Sequence, residues 1–169
     1  MLCLRAQHFL LEDIDVKIKC VELELAYKYE VELVTDGYVY GVETAKPIFL
    51  QMLGKSNVEK VGLLCLDHTN KIINYSTIAI GNTDSAVTSV AQIIKIALLS
   101  NADKILIAHN HPSGVLDITS DDIKITQKIG KAANLFQIQL IDSLIVNASD
   151  EIVSIREKIG ETKNDISNL

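Results

Sequence analysis

Residues 104–122 constrain this chain more than any other stretch. Lys104-Ile105-Leu106-Ile107-Ala108 is a short apolar run that reads as a buried strand ending at His109. The string His109-Asn110-His111-Pro112-Ser113-Gly114 follows it, with Thr119-Ser120-Asp121-Asp122 just beyond. Alternate residues of a strand point to the same side, so His109 and His111 can aim both imidazoles at one point. Pro112, Ser113 and Gly114 break the strand and turn the chain. Thr119 is a good N-cap for a helix over 119–133, and Asp122 sits three residues into it. Three ligand-type side chains can therefore converge where a strand end meets a helix N-terminus. Three protein ligands with a fourth position open is the pattern of a catalytic zinc site.

The same residues admit a plainer reading, in which two histidines end a strand and Asp122 only caps its helix. A bare H-x-H does not decide between them. The full string does more. H-N-H-P-S-G followed by T-x-x-D resembles the metal motif of the RadC-type proteins, bacterial members of the JAB/MPN (JAMM) metalloprotease-like group. That pattern is H-x-H-P, a spacer, then S-x-x-D, with a glutamate on an earlier strand. The likeness runs from about residue 58 to about residue 160 and takes in Val58-Glu59-Lys60-Val61-Gly62-Leu63-Leu64-Cys65-Leu66-Asp67 and Ala97-Leu98-Leu99-Ser100-Asn101-Ala102.

The resemblance implies an α/β fold: a three-layer JAB/MPN arrangement, similar to cytidine deaminases, with a mixed sheet between helices. It implies Zn²⁺ held by His109, His111 and Asp122, and hydrolysis of an amide or isopeptide bond in a protein or peptide substrate. Glu59 matches the glutamate that serves as general base, opening the otherwise apolar run Val61-Gly62-Leu63-Leu64-Cys65-Leu66. A carboxylate there can take a proton from water and deliver it to the leaving group. Read without the family, Glu59 is a solvent-facing charge at a strand edge.

Thr119 stands where the family has serine, whose hydroxyl helps hold the oxyanion. It also reads as an N-cap, and one oxygen serves only one of these roles well, so both stay open. Two other departures bear on function. RadC proteins commonly carry His-Pro-Arg-Glu at the start of the preceding helix, where this chain has Ser89-Val90-Ala91-Gln92. They carry Asp-His on the strand after the motif helix, where this chain has Asp142-Ser143. Loss of an arginine and a histidine bears on substrate choice and turnover, and favours the alternative of a metal-binding module that recruits a partner without catalysis. The cytidine-deaminase signature, H-x-E with P-C-x-x-C, does not occur in the sequence.

Composition fits one packed domain: 169 residues, 48% of them apolar. No apolar run is long enough to span a membrane, and the first residues lack a signal-peptide pattern, so a cytoplasmic location is expected. Cys3, Cys20 and Cys65 form no C-x-x-C pair and read as buried, reduced thiols. A net charge of -6 with scattered lysines and arginines argues against tight nucleic-acid binding, despite the family's association with DNA repair. The helix-hairpin-helix segment of longer RadC proteins is not expected in this sequence either.

The rest of the chain is expected to divide as a strand-rich leader over 1–40, a RadC-like domain over 41–160 and a polar tail over 161–169. Residues 1–16 read as a strand or an arm. Alternation predicts strands over 16–25 and 27–33 that pair with each other. A helix is expected over 42–53, capped by Thr44 and stopped by Gly54. A hairpin follows over 59–67 and 72–80, then a helix over 85–100 with Val87, Val90, Ala91, Ile94, Ala97 and Leu98 inward. Strands are expected over 136–146 and 152–155, with a frayed end after them.

Overall fold

The computed structural model describes residues 22, 24–33, 35–81 and 89–162. They form a five-stranded sheet between helices. In chain order come α1 (Val42–Phe49) continuing as a π-helical turn (Leu50–Gly54), β1 (Lys60–Leu66), β2 (Ile72–Ile80), α2 (Val90–Leu99), β3 (Lys104–Asn110), α3 (Ser120–Asn134), β4 (Gln139–Val146), β5 (Ile152–Ser154) and α4 (Ile155–Thr162). The strand order is β2-β1-β3-β4-β5. Only β3 and β4 run parallel, joined through α3; β1 pairs antiparallel with both β2 and β3. The sheet is thus mixed, as expected.

Alternation along the strands divides the core in two. Val61, Leu63 and Cys65 of β1 and Ile105 and Ile107 of β3 pack under Ile93, Ile94 and Ala97 of α2 and Ile129 and Ala133 of α3. Leu64 and Leu66 of β1, Leu106 and Ala108 of β3, and Leu144 and Val146 of β4 face Ala45, Ile48, Phe49 and Leu53 of the α1 segment. β3 is central and buried on both faces, so it reads as a continuous apolar run. His109 belongs to the odd-numbered set and therefore emerges on the α2/α3 side. Asn110 emerges on the α1 side.

Several expectations need correction. Residues 27–33 form no strand. Their alternation has no sheet to bury it: Tyr27 is 78% and Tyr29 70% exposed, and the segment is tied down where Gln51 Nε2 donates to the Glu32 carbonyl, 3.0 Å. Its proposed partner over 16–25 lies almost wholly outside the described residues. Helix α1 begins at Val42, so Thr44 is not its cap but its third residue. The Thr44 hydroxyl reaches back to accept from the N–H groups of Tyr40 and Gly41. Helix α2 is described from Val90, with the Ser89 hydroxyl accepting from the Gln92 N–H at 3.2 Å; Val87 lies outside the described residues. Its inward stripe is Ile93, Ile94 and Ala97, while Ala91 and Leu98 are exposed.

Strand β4 starts three residues later than expected. Gln137, at φ 60°, takes the left-handed conformation that closes α3, and the Ile138 N–H bonds back to the Ala133 carbonyl. The chain directly after β5, over 155–162, is not frayed either, while residues 163–169 lie outside the described residues. It forms α4, whose first turn is capped by Ser154 Oγ accepting from the Glu157 N–H at 2.9 Å. Ser154-Ile155-Arg156-Glu157 is the S-x-x-E pattern of a helix start, and Ile155 is fully buried.

Candidate metal centre

The three expected ligands come together. His109 Nε2 lies 3.0 Å from His111 Nε2 and 3.2 Å from Asp122 Oδ1. Among the described residues this is the group of histidine, cysteine and acidic side chains whose ligand atoms converge. Tetrahedral bonds of about 2.0–2.1 Å would space ligand atoms about 3.3 Å apart. The two spacings from His109 need only tenths of an ångström of adjustment, and all three ligand atoms lie within 4.8 Å of one another, so the residues fit a zinc ion.

Local structure explains the convergence. The β-pleat brings both histidines to one side of β3. The His111 N–H donates to the Val146 carbonyl, and its own carbonyl accepts from the Gly114 N–H, which closes a tight turn with Gly114 at φ 81°. The turn carries the Val115 carbonyl oxygen to 2.6 Å from His111 Nδ1. A carbonyl can only accept, so the proton sits on Nδ1 and the Nε2 lone pair faces the site. The proton between the imidazoles then belongs to His109 Nε2, and cation binding must displace it.

Asp122 arrives from the other side on the first turn of α3. Thr119 caps that turn: its hydroxyl accepts from the Asp122 N–H at 3.2 Å and donates to Asp122 Oδ2 at 2.6 Å. The Thr119 N–H donates to the same Oδ2, 2.8 Å. One carboxylate oxygen is thus anchored and the other is aimed at His109. Burial opposes ionisation of Asp122, but hydrogen bonds from His109 and Thr119 outweigh it and hold the carboxyl well below the usual carboxylate range. Metal coordination needs that deprotonated form. Of the two roles open for Thr119, the cap is the one in which its hydroxyl is engaged in this structure. An oxyanion could receive its proton only if the bond to Asp122 broke.

Glu59 stands just ahead of β1 and is outside the converging ligand set. Val61 pairs with His109 in the antiparallel β1–β3 ladder. The ladder ends at that pair, and its register continued two residues further would set Glu59 opposite His111. Glu59 is half-buried, and its carboxylate has no hydrogen bond or ion pair among the described residues. Its backbone is held where the Gly81 N–H donates to the Glu59 carbonyl at 2.7 Å.

The departures from the family pattern also have places. Ser143 is buried on β4 beside Ile107, on the site's face of the sheet. Asp142 points to the other face, where it accepts from Ser154 Oγ at 2.6 Å and from the N–H groups of Ser143 and Arg156. Ala91 and Gln92 are exposed on α2.

Two contributors were not foreseen. Asn147, buried at the end of β4, donates through Nδ2 to the Gly114 carbonyl at 3.0 Å and so pins the metal turn. Asn147-Ala148-Ser149-Asp150 has turn composition, but nothing in the sequence shows that its side chain reaches residue 114. The Val115 carbonyl that orients His111 was equally invisible, because it is backbone.

A family model described as a RadC-like JAB domain matches residues 40–160. A UPF0758 protein of Haemophilus influenzae is 34% identical over 128 residues, covering 75% of this chain and 58% of its own length. One from Finegoldia magna is 32% identical over 110 residues, covering 65% and 49%. One from Cellvibrio japonicus is 36% identical over 100 residues, covering 59% and 44%. The chain spans about half the length of these curated relatives, and their name assigns no activity. With its family model matched over most of its length, the chain belongs to the RadC-like JAB domain family.

Proposed function

We propose that this protein is a zinc-dependent hydrolase of JAMM type that cleaves an amide or isopeptide bond in a protein or peptide. The observation that carries the reading is the meeting of His109 Nε2, His111 Nε2 and Asp122 Oδ1, with Asp122 ionised and the His111 lone pair turned inward. When bound to these three atoms, zinc supplies Lewis-acid chemistry and lowers the pKa of water at the open position to about 7.

The chain's own residues do the rest. Glu59 takes a proton from the attacking water as its oxygen bonds to the carbonyl carbon. It passes that proton to the nitrogen as the C–N bond breaks, releasing an amine and a carboxylic acid. His111 is held in its ligand tautomer by the Val115 carbonyl. Thr119 acts through Asp122, as a positioning residue. A reducing compartment suits a chain whose three cysteines include no C-x-x-C pair, and we propose a cytoplasmic setting. No helix among the described residues is long and apolar enough to cross a membrane.

A second reading, a metal-holding module that recruits a partner, draws support from the small Ser143 on the site's face and from the exposed Ala91. Glu59→Gln separates the two. The zinc-loaded protein and the variant would be screened against fluorogenic peptide amides and lysine isopeptides. The hydrolase reading expects cleavage that falls about 10²–10⁴-fold in the variant, with zinc content and folding unchanged. Absence of cleavage by the wild type across the panel would count for the module, whereas full activity in the variant would remove Glu59 as the base.

A further inference from the structure

The residue between the two histidines does something the metal does not require. Asn110 is 1% exposed and lies on the α1 side of the sheet, away from the ligands. Its Oδ1 accepts from the Lys60 N–H at 2.8 Å. Its Nδ2 donates to the carbonyls of Ser56 and Val58, at 3.2 and 3.1 Å. The three backbone groups it grips belong to residues 56, 58 and 60, which bracket Glu59. The regular ladder between β1 and β3 ends at Val61 and His109. Beyond that pair the backbones no longer bond directly, since the His111 N–H turns away to Val146. The Asn110 side chain takes over the pairing.

We propose that Asn110 is the positioning residue that fixes Glu59 relative to the metal ligands. This rests on the hydrolase reading, in which Glu59 is the base. The ligands His109 and His111 flank Asn110 on one strand, so a clamp from Asn110 to residues 56–60 makes the ligand-to-base distance a local property of two neighbouring strand ends. Other holds on the segment before β1 come from elsewhere and do not link it to the ligand strand: the Gly81 N–H donates to the Glu59 carbonyl at 2.7 Å, the Ser56 N–H to the Leu53 carbonyl at 3.0 Å, and Ser56 Oγ to the Val58 carbonyl within the same loop. Only an amide fits the clamp. Aspartate would keep the bond to the Lys60 N–H but set its second oxygen against two carbonyl oxygens, with no proton to offer either.

The test uses the full chain labelled with ¹³C at glutamate carboxyls, the Glu59 resonance being assigned by its loss in Glu59→Gln. One equivalent of Zn²⁺ is added to wild type and to Asn110→Asp, and zinc affinity is measured for both. The expected result is a zinc-induced shift of the Glu59 carboxyl in wild type that is lost in Asn110→Asp, with zinc affinity unchanged. A residue that merely stabilised the fold would lower the unfolding midpoint and leave the Glu59 response intact. That result, a full Glu59 response in a destabilised Asn110→Asp, overturns the positioning role while leaving the hydrolase reading standing. No zinc response of Glu59 in wild type overturns both. If Asn110→Asp does not fold, the neutral Asn110→Ser, which loses both donors, takes its place with the same outcomes.

Discussion

The two faces of the sheet treat the same strand end in opposite ways. On the α1 side, Asn110 uses both of its N–H donors and its oxygen on backbone groups of residues 56, 58 and 60. On the α2/α3 side, His109, His111 and Asp122 are anchored through one atom or by the strand and turn the remaining ligand atoms on one another. Polar groups satisfied by their own backbone build structure. Ligand atoms whose nearest polar partners are each other leave capacity for something from outside. The lesson is that spare coordinating capacity, rather than polarity at a strand end, separates site from scaffold.

That contrast can be broken from the scaffold side first. Gly62 lies on the α1 face, and a Cβ there would come 2.5 Å from the Tyr75 hydroxyl oxygen. The Tyr75 ring is itself held edge-on against Phe49, centroids 6.3 Å apart. Gly62→Ala should therefore cost about 1–2 kcal/mol of stability through overpacking. Urea unfolding of the variant should show that loss, and zinc affinity of the folded protein should be unchanged. A loss of metal with no loss of stability would erase the distinction between the faces.

A smaller effect comes from Asp142, on the same face. Burial pushes its carboxyl up, against hydrogen bonds from Ser154 and from the N–H groups of Arg156 and Ser143. A folded-state value raised above the unfolded one, about 3.9, means the folded chain holds the proton more tightly. The resulting stabilisation is full below that unfolded value and is lost as pH rises through the raised one. Asp142→Asn removes the titration and keeps an acceptor for both N–H groups. Urea midpoints at about pH 4 and about pH 7 should show the variant gaining on wild type at the higher pH. An unchanged or opposite difference would mean that the carboxylate is stabilised where it sits.

Much of this was legible in the sequence because it depends on local rules. His109 and His111 share a face by strand alternation, and Asp122 follows from a capping pattern at Thr119. The apolar runs of β1 and β3 announced a sheet buried on both sides. What failed depended on partners distant in the chain. Residues 27–33 alternate as a strand does, but no strand edge among the described residues receives them. The stripe of α2 is centred on Ile93, a choice made by the sheet beneath it. Gln137 ends α3 in a conformation that glycine would have advertised. The start of α4 is different: Ser154 and Glu157 carried the signal in plain sequence, and the polar residues after them obscured it. Within the site, nothing local to Asn110 shows that it braces the segment carrying Glu59, about fifty residues earlier in the chain.

The account turns on whether the three ligand atoms hold a metal. Protein purified without chelator, with metal counted by elemental analysis beside His109→Ala, tests this most directly. The account predicts about one zinc per wild-type chain, as a single three-ligand site implies, and loss of most of it in the variant. Zinc retained in full by a folded His109→Ala would contradict it.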